Sequence, residues 1–466
     1  MNGFRRWTIV VAILSAMTSF AAYELGVVAV CTDCISRAFF AMTWWHRPNL
    51  YQVIYWLPLH SILFGLPGYL TGKGLVAIHL LNALCAGATV FLGARLTETM
   101  TGSPRASLCS ALLIASSPLY VWFGVSMLSE PFFNVLVLAF VLAFLAWIRT
   151  SSRIQLWMSV LLLLLMSMDR WFAWPVAAGF GLYVIGRERR LESLFPVVAS
   201  WAFPILWMSL MMFTWGDPFF AIRFQADDSR TFYGANQPFA ELAIEFLHVF
   251  AIPLLGLAVL AATWRRLPRN LHALAVAGVG ALALETAIIW GRIPTVFPLR
   301  SFSVSGLFLL GVAGSFLGLI WERRWVGSGW IGALLAVSIG YQVALLPNHA
   351  SKLDEEMLRA GTKLRSSPTW NRMIRKNPVG VDLDPLRGMH LAVASDRPDR
   401  FVHVRFDHSR TSIHVEAAGS VPQMFVVKNA EDASTLIRLW PQARAVKIED
   451  VYLVSANETL LAETKP

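Results

Sequence analysis

Charge is scarce in this sequence. Asp, Glu, Lys and Arg make up 15% of its 466 residues, against 56% hydrophobic, and the mean hydropathy is +0.56. A soluble domain of this length does not stay folded and dissolved with that balance, so lipid is the main solvent. Cysteine is scarce as well. Four residues make no disulfide framework, and the C-x-x-C of Cys31 and Cys34 is followed by no second pair at zinc spacing. Cys85 and Cys109 fall inside apolar runs, where packing is the expected role. The net charge of +10 sits in short Lys and Arg clusters between apolar runs rather than along one stripe. That pattern speaks for membrane topology and against a nucleic-acid partner.

Eleven apolar runs are long enough to cross a bilayer, or nearly so: residues 7–29, 74–96, 107–123, 131–149, 154–168, 172–186, 194–215, 241–263, 270–290, 296–320 and 327–347. The fifth and sixth are short and separated only by Met168-Asp169-Arg170-Trp171, which predicts either a hairpin of two short spans or one broken helix. Arg5 and Arg6 open the first run, which exceeds the h-region of a signal peptide and is expected to be retained. If every run crosses once, the clusters Arg5/Arg6, Arg95/Arg105, Arg149/Arg153, Arg187/Arg189/Arg190, Arg265/Arg266/Arg269 and Arg323/Arg324 all fall on one side. By the positive-inside rule that side is the cytoplasm, and the N-terminus with it. The extracytoplasmic side receives the loops 30–73 and 216–240 and everything after His349.

The chain changes class near that histidine. About 10% of residues 1–350 are charged, against about 28% of residues 351–466. The expectation is a polytopic α-helical membrane protein with about eleven transmembrane helices over residues 1–349 and a small soluble α/β domain over 350–466. In the tail, Ser351 to Lys376 and Ala433 to Trp440 read as helices. His390–Val393, Phe401–Phe406, Ser412–Val415, Met424–Val427 and Val446–Val454 read as strands. The tail carries no nucleotide fingerprint or catalytic motif.

Polar chemistry gathers on the outer side. An acidic residue follows the first helix in Thr32-Asp33-Cys34-Ile35-Ser36-Arg37, and Trp56-Leu57-Pro58-Leu59-His60 leads into the second. Ser116-Ser117-Pro118-Leu119-Tyr120, Leu128-Ser129-Glu130-Pro131, Met168-Asp169-Arg170 and Gly216-Asp217-Pro218 follow in order. In this series the sequence resembles the GT-C superfamily of membrane glycosyltransferases, particularly the family-39-like group related to protein O-mannosyltransferases and the lipid A aminoarabinose transferase. The matching segments span about two thirds of the chain. The resemblance implies a GT-C-like fold and inverting transfer of a hexosyl or pentosyl group; the expected location is the bacterial inner (plasma) membrane. The donor is then a polyprenyl-phosphate sugar, and the acceptor a glycan, lipid or protein outside the cell.

Inverting transfer needs a carboxylate to take the acceptor's proton. Asp33 matches the family's first-loop acid and is the expected base, against a reading as a solvated loop aspartate. Glu130 is either a second catalytic carboxylate or part of a helix start, with Ser129 as N-cap and Pro131 in the first turn. Arg37, Arg170, Arg292 and Arg300 are the cations available to the departing phosphate, or else interface anchors. Trp56, His60 and Asp169 are the remaining candidate substrate contacts, and Asp169 is alternatively the ion-pair partner of Arg170. Trp171 and Trp174 either stack on a sugar or anchor the broken helix. Glu285 lies inside an apolar run, where acids are costly, and is placed to pair with Arg292 seven residues later. Metal dependence is left open, with Asp33, His60 and Glu130 as the oxygen and nitrogen ligands a divalent ion would find. The rival readings are a secondary transporter and a non-catalytic relative that binds prenyl lipid.

Overall fold

A computed structural model describes residues 3–27, 31–48, 56–189, 191–224, 269–290, 302–322, 328–344, 355–374, 378–383, 385–406, 413–415, 422, 424–449 and 451–464. The chain forms two compact units. The first comprises Met1–Leu25, Leu50–His60 and Leu81–Asn348; the second comprises Gly26–Asn49, Ser61–Leu80 and His349–Pro466.

Through the apolar part, the helices in chain order are α1 (Gly3–Glu24), α2 (Thr32–Trp44), α3 (Leu59–Thr71), α4 (Gly74–Thr101), α5 (Pro104–Ser116), α6 (Pro118–Val125) and α7 (Glu130–Thr150). They continue as α8 (Arg153–Asp169), α9 (Ala173–Glu188), α10 (Leu194–Trp215), α11 (Arg269–Trp290), α12 (Ser303–Glu322) and α13 (Ser328–Ala344). A helix or a bent pair of helices falls on every predicted run except 241–263, which lies outside the described residues. By length and composition, five of the described helices are able to cross a membrane, or six if the bent pair α5–α6 is one span, so the protein is an integral membrane protein. About eleven crossings were expected, with the fifth and sixth runs short, and those two runs are short helices. With 17 and 16 residues, α8 and α9 reach only about 25 Å, short of the ~30 Å hydrocarbon core.

Proline chemistry sets the breaks. Ser103 caps α5 by accepting from the Ala106 N–H, with Pro104 in the first turn. The run read as one span at 107–123 divides because Pro118 holds Ser117 extended (φ −63°, ψ 128°), and α6 leaves at 62° to α5. Arg153 at the start of α8 pairs with Glu192, just past the end of α9, at 3.3 Å. The two helices are therefore an antiparallel hairpin, which decides between the two expected forms. Close approach shapes the packing of α12 on α5. A Cβ added at Gly318 would lie 2.3 Å from the Ala106 Cα, and one at Gly314 would lie 2.2 Å from the Ser110 Oγ. Gly314 and Gly318 form a G-x-x-x-G stripe that lets two backbones meet in lipid.

In the second unit, α2 packs against α3 so closely that a Cβ at Gly65 would lie 2.0 Å from the Ala41 carbonyl oxygen. The tail follows as α14 (Glu355–Ser366), α15 (Pro368–Ile374), β1 (Val379–Asp382), α16 (Pro385–Ala394), β2 (Phe401–Phe406), β3 (Ile413–Val415), β4 (Met424–Val427), α17 (Ala430–Leu439), β5 (Arg444–Ile448), β6 (Val451–Ser455) and α18 (Glu458–Glu463). The strands form one six-stranded mixed sheet in the order β3-β2-β1-β4-β6-β5, with β1 parallel to both β2 and β4. Alternate residues of β4 face opposite cores: Met424 and Val426 join Leu364, Trp370 and Val379, whereas Phe425 and Val427 join Ala433 and Leu436 of α17.

Three expectations for the tail need correction. His390–Val393 is helical, inside α16, because a parallel β1–β2 pair needs a crossover helix between its strands. Val446–Val454 is not one strand but the hairpin β5–β6, turned at Glu449 with a φ of 52°. The helix expected from Ser351 to Lys376 breaks ahead of Pro368 into α14 and α15.

Two acids of the tail hold the segments that join this unit from the first half of the chain. Asp396, in the left-handed region (φ 64°), accepts from the Leu75 N–H at the start of α4 at 2.6 Å. Asp399 takes both Nε and Nη2 of Arg397 at 3.0 Å and lies 4.0 Å from His46. Burial pushes the Asp396 carboxyl up to about 6 from its ordinary 3.8, against the lowering effect of the Leu75 N–H, Arg365 and Arg397. The folded protein thus holds this proton to higher pH than the unfolded chain. The unit should gain roughly 2–3 kcal/mol as pH falls from about 7 to 4, on top of what other groups contribute. Thermal unfolding of wild type and Asp396→Asn between pH 7.5 and 4.5 checks this: the variant should be the more stable at pH 7.5, and the difference should shrink by about 2 kcal/mol by the acid end.

Candidate active site

In the first unit the site grows from the start of α7. Ser129 occupies the cap position in a helical conformation (φ −81°, ψ −14°) and makes no side-chain cap bond, so capping does not account for Ser129-Glu130-Pro131. The Glu130 side chain is fully buried and meets the Arg170 Nη2 at 3.0 Å, with the Arg170 side chain 21% exposed. Arg170 takes this direction because α8 ends there. Its backbone turns extended (φ −146°, ψ 141°) while its N–H still closes the last turn on the Met166 carbonyl. The guanidinium also lies 5.8 Å from the centre of the Phe133 ring, one turn into α7. A charge partner of Arg170 is thus Glu130, and its neighbour Asp169 is buried at the end of α8.

A second acid of this unit serves a different purpose. Glu285 of α11 is 2% exposed and accepts from the Val304 N–H at 3.1 Å and the Ser305 N–H at 3.4 Å. It closes the first turn of α12, where the orphan donors and the helix dipole favour an anion. The expected pairing of Glu285 with Arg292 lies outside the described residues, as does Arg300. Tyr120, in the first turn of α6, donates its hydroxyl to the Ser303 carbonyl at 2.6 Å. The start of α12 is therefore held from two sides, and the charge of Arg170 acts on Glu285 as well as Glu130. Tyr120 and Ser303 carry roles that the sequence did not assign. The signal for Tyr120 was the Ser-Ser-Pro that restarts a helix beneath it.

Trp174 donates its indole N–H to the Ser167 carbonyl at 3.1 Å and packs edge-on against Trp171 at 4.7 Å. These rings anchor the turn between α8 and α9. His60 is buried near the start of α3, and Trp56 is half-buried. In the second unit, Asp33 is half-buried in the first turn of α2, and Arg37 follows one turn later with 4% exposure. Cys31 and Cys34 form a disulfide on either side of Asp33. Among the described residues, no three His, Cys, Asp or Glu side chains come together as a metal site.

The chain shares its fold with a solved protein, ArnT. ArnT from Cupriavidus metallidurans, solved bound to undecaprenyl phosphate, superposes with a TM-score of 0.62 at 14% identity, over 97% of this chain and 98% of that one. The same protein in its apo state gives 0.55 at 13% identity, over 96% and 98%. No protein-family model and no curated protein sequence matches the chain. At these identities, what is shared is the fold.

Proposed function

We propose that the protein is an inverting glycosyltransferase that moves a hexosyl or pentosyl group from a polyprenyl-phosphate donor to a glycan, lipid or protein acceptor on the extracytoplasmic face. The observation that carries this reading is the likeness to ArnT over nearly the whole of both chains, one of those structures being bound to undecaprenyl phosphate. In this reading residues 1–349 are the transmembrane catalytic part and residues 350–466 the soluble extracytoplasmic domain. The Cys31–Cys34 disulfide supports the orientation, since such bonds persist in oxidising compartments.

Asp33 is the base. It takes the acceptor hydroxyl proton as that oxygen attacks the anomeric carbon, and the bond from that carbon to the phosphate oxygen breaks with its electron pair leaving on the prenyl phosphate. Arg170 is a cation for the departing phosphate, with Arg37, Arg292 and Arg300 the further candidates. Glu130 sets the direction of the Arg170 guanidinium, whose five donors are more than one carboxylate uses. Asp169, His60 and Trp56 are assigned to substrate contact. The test is transfer of radiolabelled sugars from undecaprenyl-phosphate carriers in membranes holding wild type or Asp33→Asn. Transfer by wild type and not by the variant is the expected result; equal transfer by both overturns the assignment of the base.

A further inference from the structure

The disulfide lies in a telling place. Cys31 is the N-cap residue of α2 in extended conformation (φ −160°, ψ 159°), and its Sγ accepts from the Cys34 N–H at 3.3 Å. The Cys31 carbonyl also accepts from Cys34 at 3.1 Å and from Ile35 at 3.4 Å. The body of α2 is fixed by packing, with Ile35, Ala38 and Ala41 wholly buried. Its first turn starts from cysteine, which lacks the strong capping oxygen of Ser, Thr, Asp or Asn. The disulfide closes a ring through Cys31, Thr32, Asp33 and Cys34, so the backbone of Asp33 belongs to a small covalent cycle. Both cysteines are buried, at 1% and 0% exposure. A dithiol shuttle needs an accessible nucleophilic sulfur, and this pair does not offer one.

We infer that the Cys31–Cys34 disulfide is a positioning element of the transferase site, holding Asp33 where it meets the acceptor hydroxyl. The inference rests on the reading of Asp33 as the base. It makes activity depend on oxidation of this pair: the two thiols give up two electrons and two protons to a disulfide-bearing oxidant, which leaves as its dithiol. A misplacement of about 1 Å in a reacting group costs on the order of 100-fold in rate. Breaking the ring therefore lowers kcat, while the donor's KM and the binding of undecaprenyl phosphate stay within about two-fold.

The test pairs Cys31→Ser/Cys34→Ser with Asp33→Asn, using the full chain in lipid nanodiscs. Serine restores a good cap without the ring, so the double variant separates capping from covalent closure. Expected are a roughly 10- to 100-fold lower kcat, unchanged binding of undecaprenyl phosphate, and about 10-fold faster hydrogen exchange at the Cys34 (now Ser) and Ile35 amides. An inactive Asp33→Asn beside a fully active double-serine variant overturns the positioning role and leaves the base in place. A fully active Asp33→Asn removes the base and the inference with it. Should the double variant not fold, wild type is reduced with dithiothreitol, which leaves as its cyclic disulfide. Reversible loss of transfer supports the role, and full activity with both thiols shown open by maleimide mass shift overturns it. Two open thiols in the isolated wild type, or exchange unchanged by the ring's removal, also overturn it without requiring any donor.

Discussion

Replacing Asp33 with Asn is expected to cut sugar transfer about 10²- to 10⁴-fold, the usual contribution of a positioned general base, with little change in expression or thermal stability. Asparagine keeps the size of the side chain and its acceptor oxygen but takes no proton. Asp33 is half-buried in a helix's first turn, where an anion gains modestly from the dipole, so losing its charge costs at most about 1 kcal/mol of stability. The large effect falls on kcat and the small one on folding, and steady-state rates beside a melting curve separate them. An equal fall in both would mark Asp33 as a structural anion.

Arg170→Met is the change expected to destabilise most, by about 3–5 kcal/mol, because it removes the charge partner of a buried carboxylate. Adding Glu130→Gln should return most of that loss, since the cost lies in the stranded carboxylate rather than in the missing attraction. The four-member cycle of wild type, two singles and the double measures the coupling directly by thermal unfolding in detergent. The double variant, once stable, should still bind undecaprenyl phosphate more weakly than wild type if Arg170 meets the departing phosphate. Wild-type binding by the double would confine the pair to folding.

Much of this was legible in advance, for identifiable reasons. Lipid-facing helices need long apolar runs whatever their neighbours are, so α1, α4, α7 and α10 could be read from hydropathy alone. Asp33, Glu130 and Arg170 were singled out by the family-like segments that carry them, Thr32-Asp33-Cys34, Ser129-Glu130-Pro131 and Met168-Asp169-Arg170. Partner choice was not legible. That Arg170 turns to Glu130 of α7 depends on how α7 and α8 pack, and nothing within Met168-Asp169-Arg170 encodes it. Glu285 was singled out by its cost, and the backbone N–H groups it accepts from, 19 and 20 residues away, have no side-chain signature. In the tail, His390–Val393 failed because a four-residue apolar stretch fits a buried strand and a crossover helix equally well.

The bond from Leu75 to Asp396 joins positions 321 residues apart. A ribosome making this chain releases the start of α4 long before it reaches the acid that satisfies it. At ~5–20 residues per second, that amide waits tens of seconds. During that interval the first turn of α4 has only water or other backbone groups to bond, and the loop that finally closes is among the longest the chain offers. Order of synthesis thus becomes order of assembly. The helices of the apolar part are laid down first, and the start of α4 is fastened by the last quarter of the protein. A chain that stops short of Asp396 would insert its helices and leave that fastening undone.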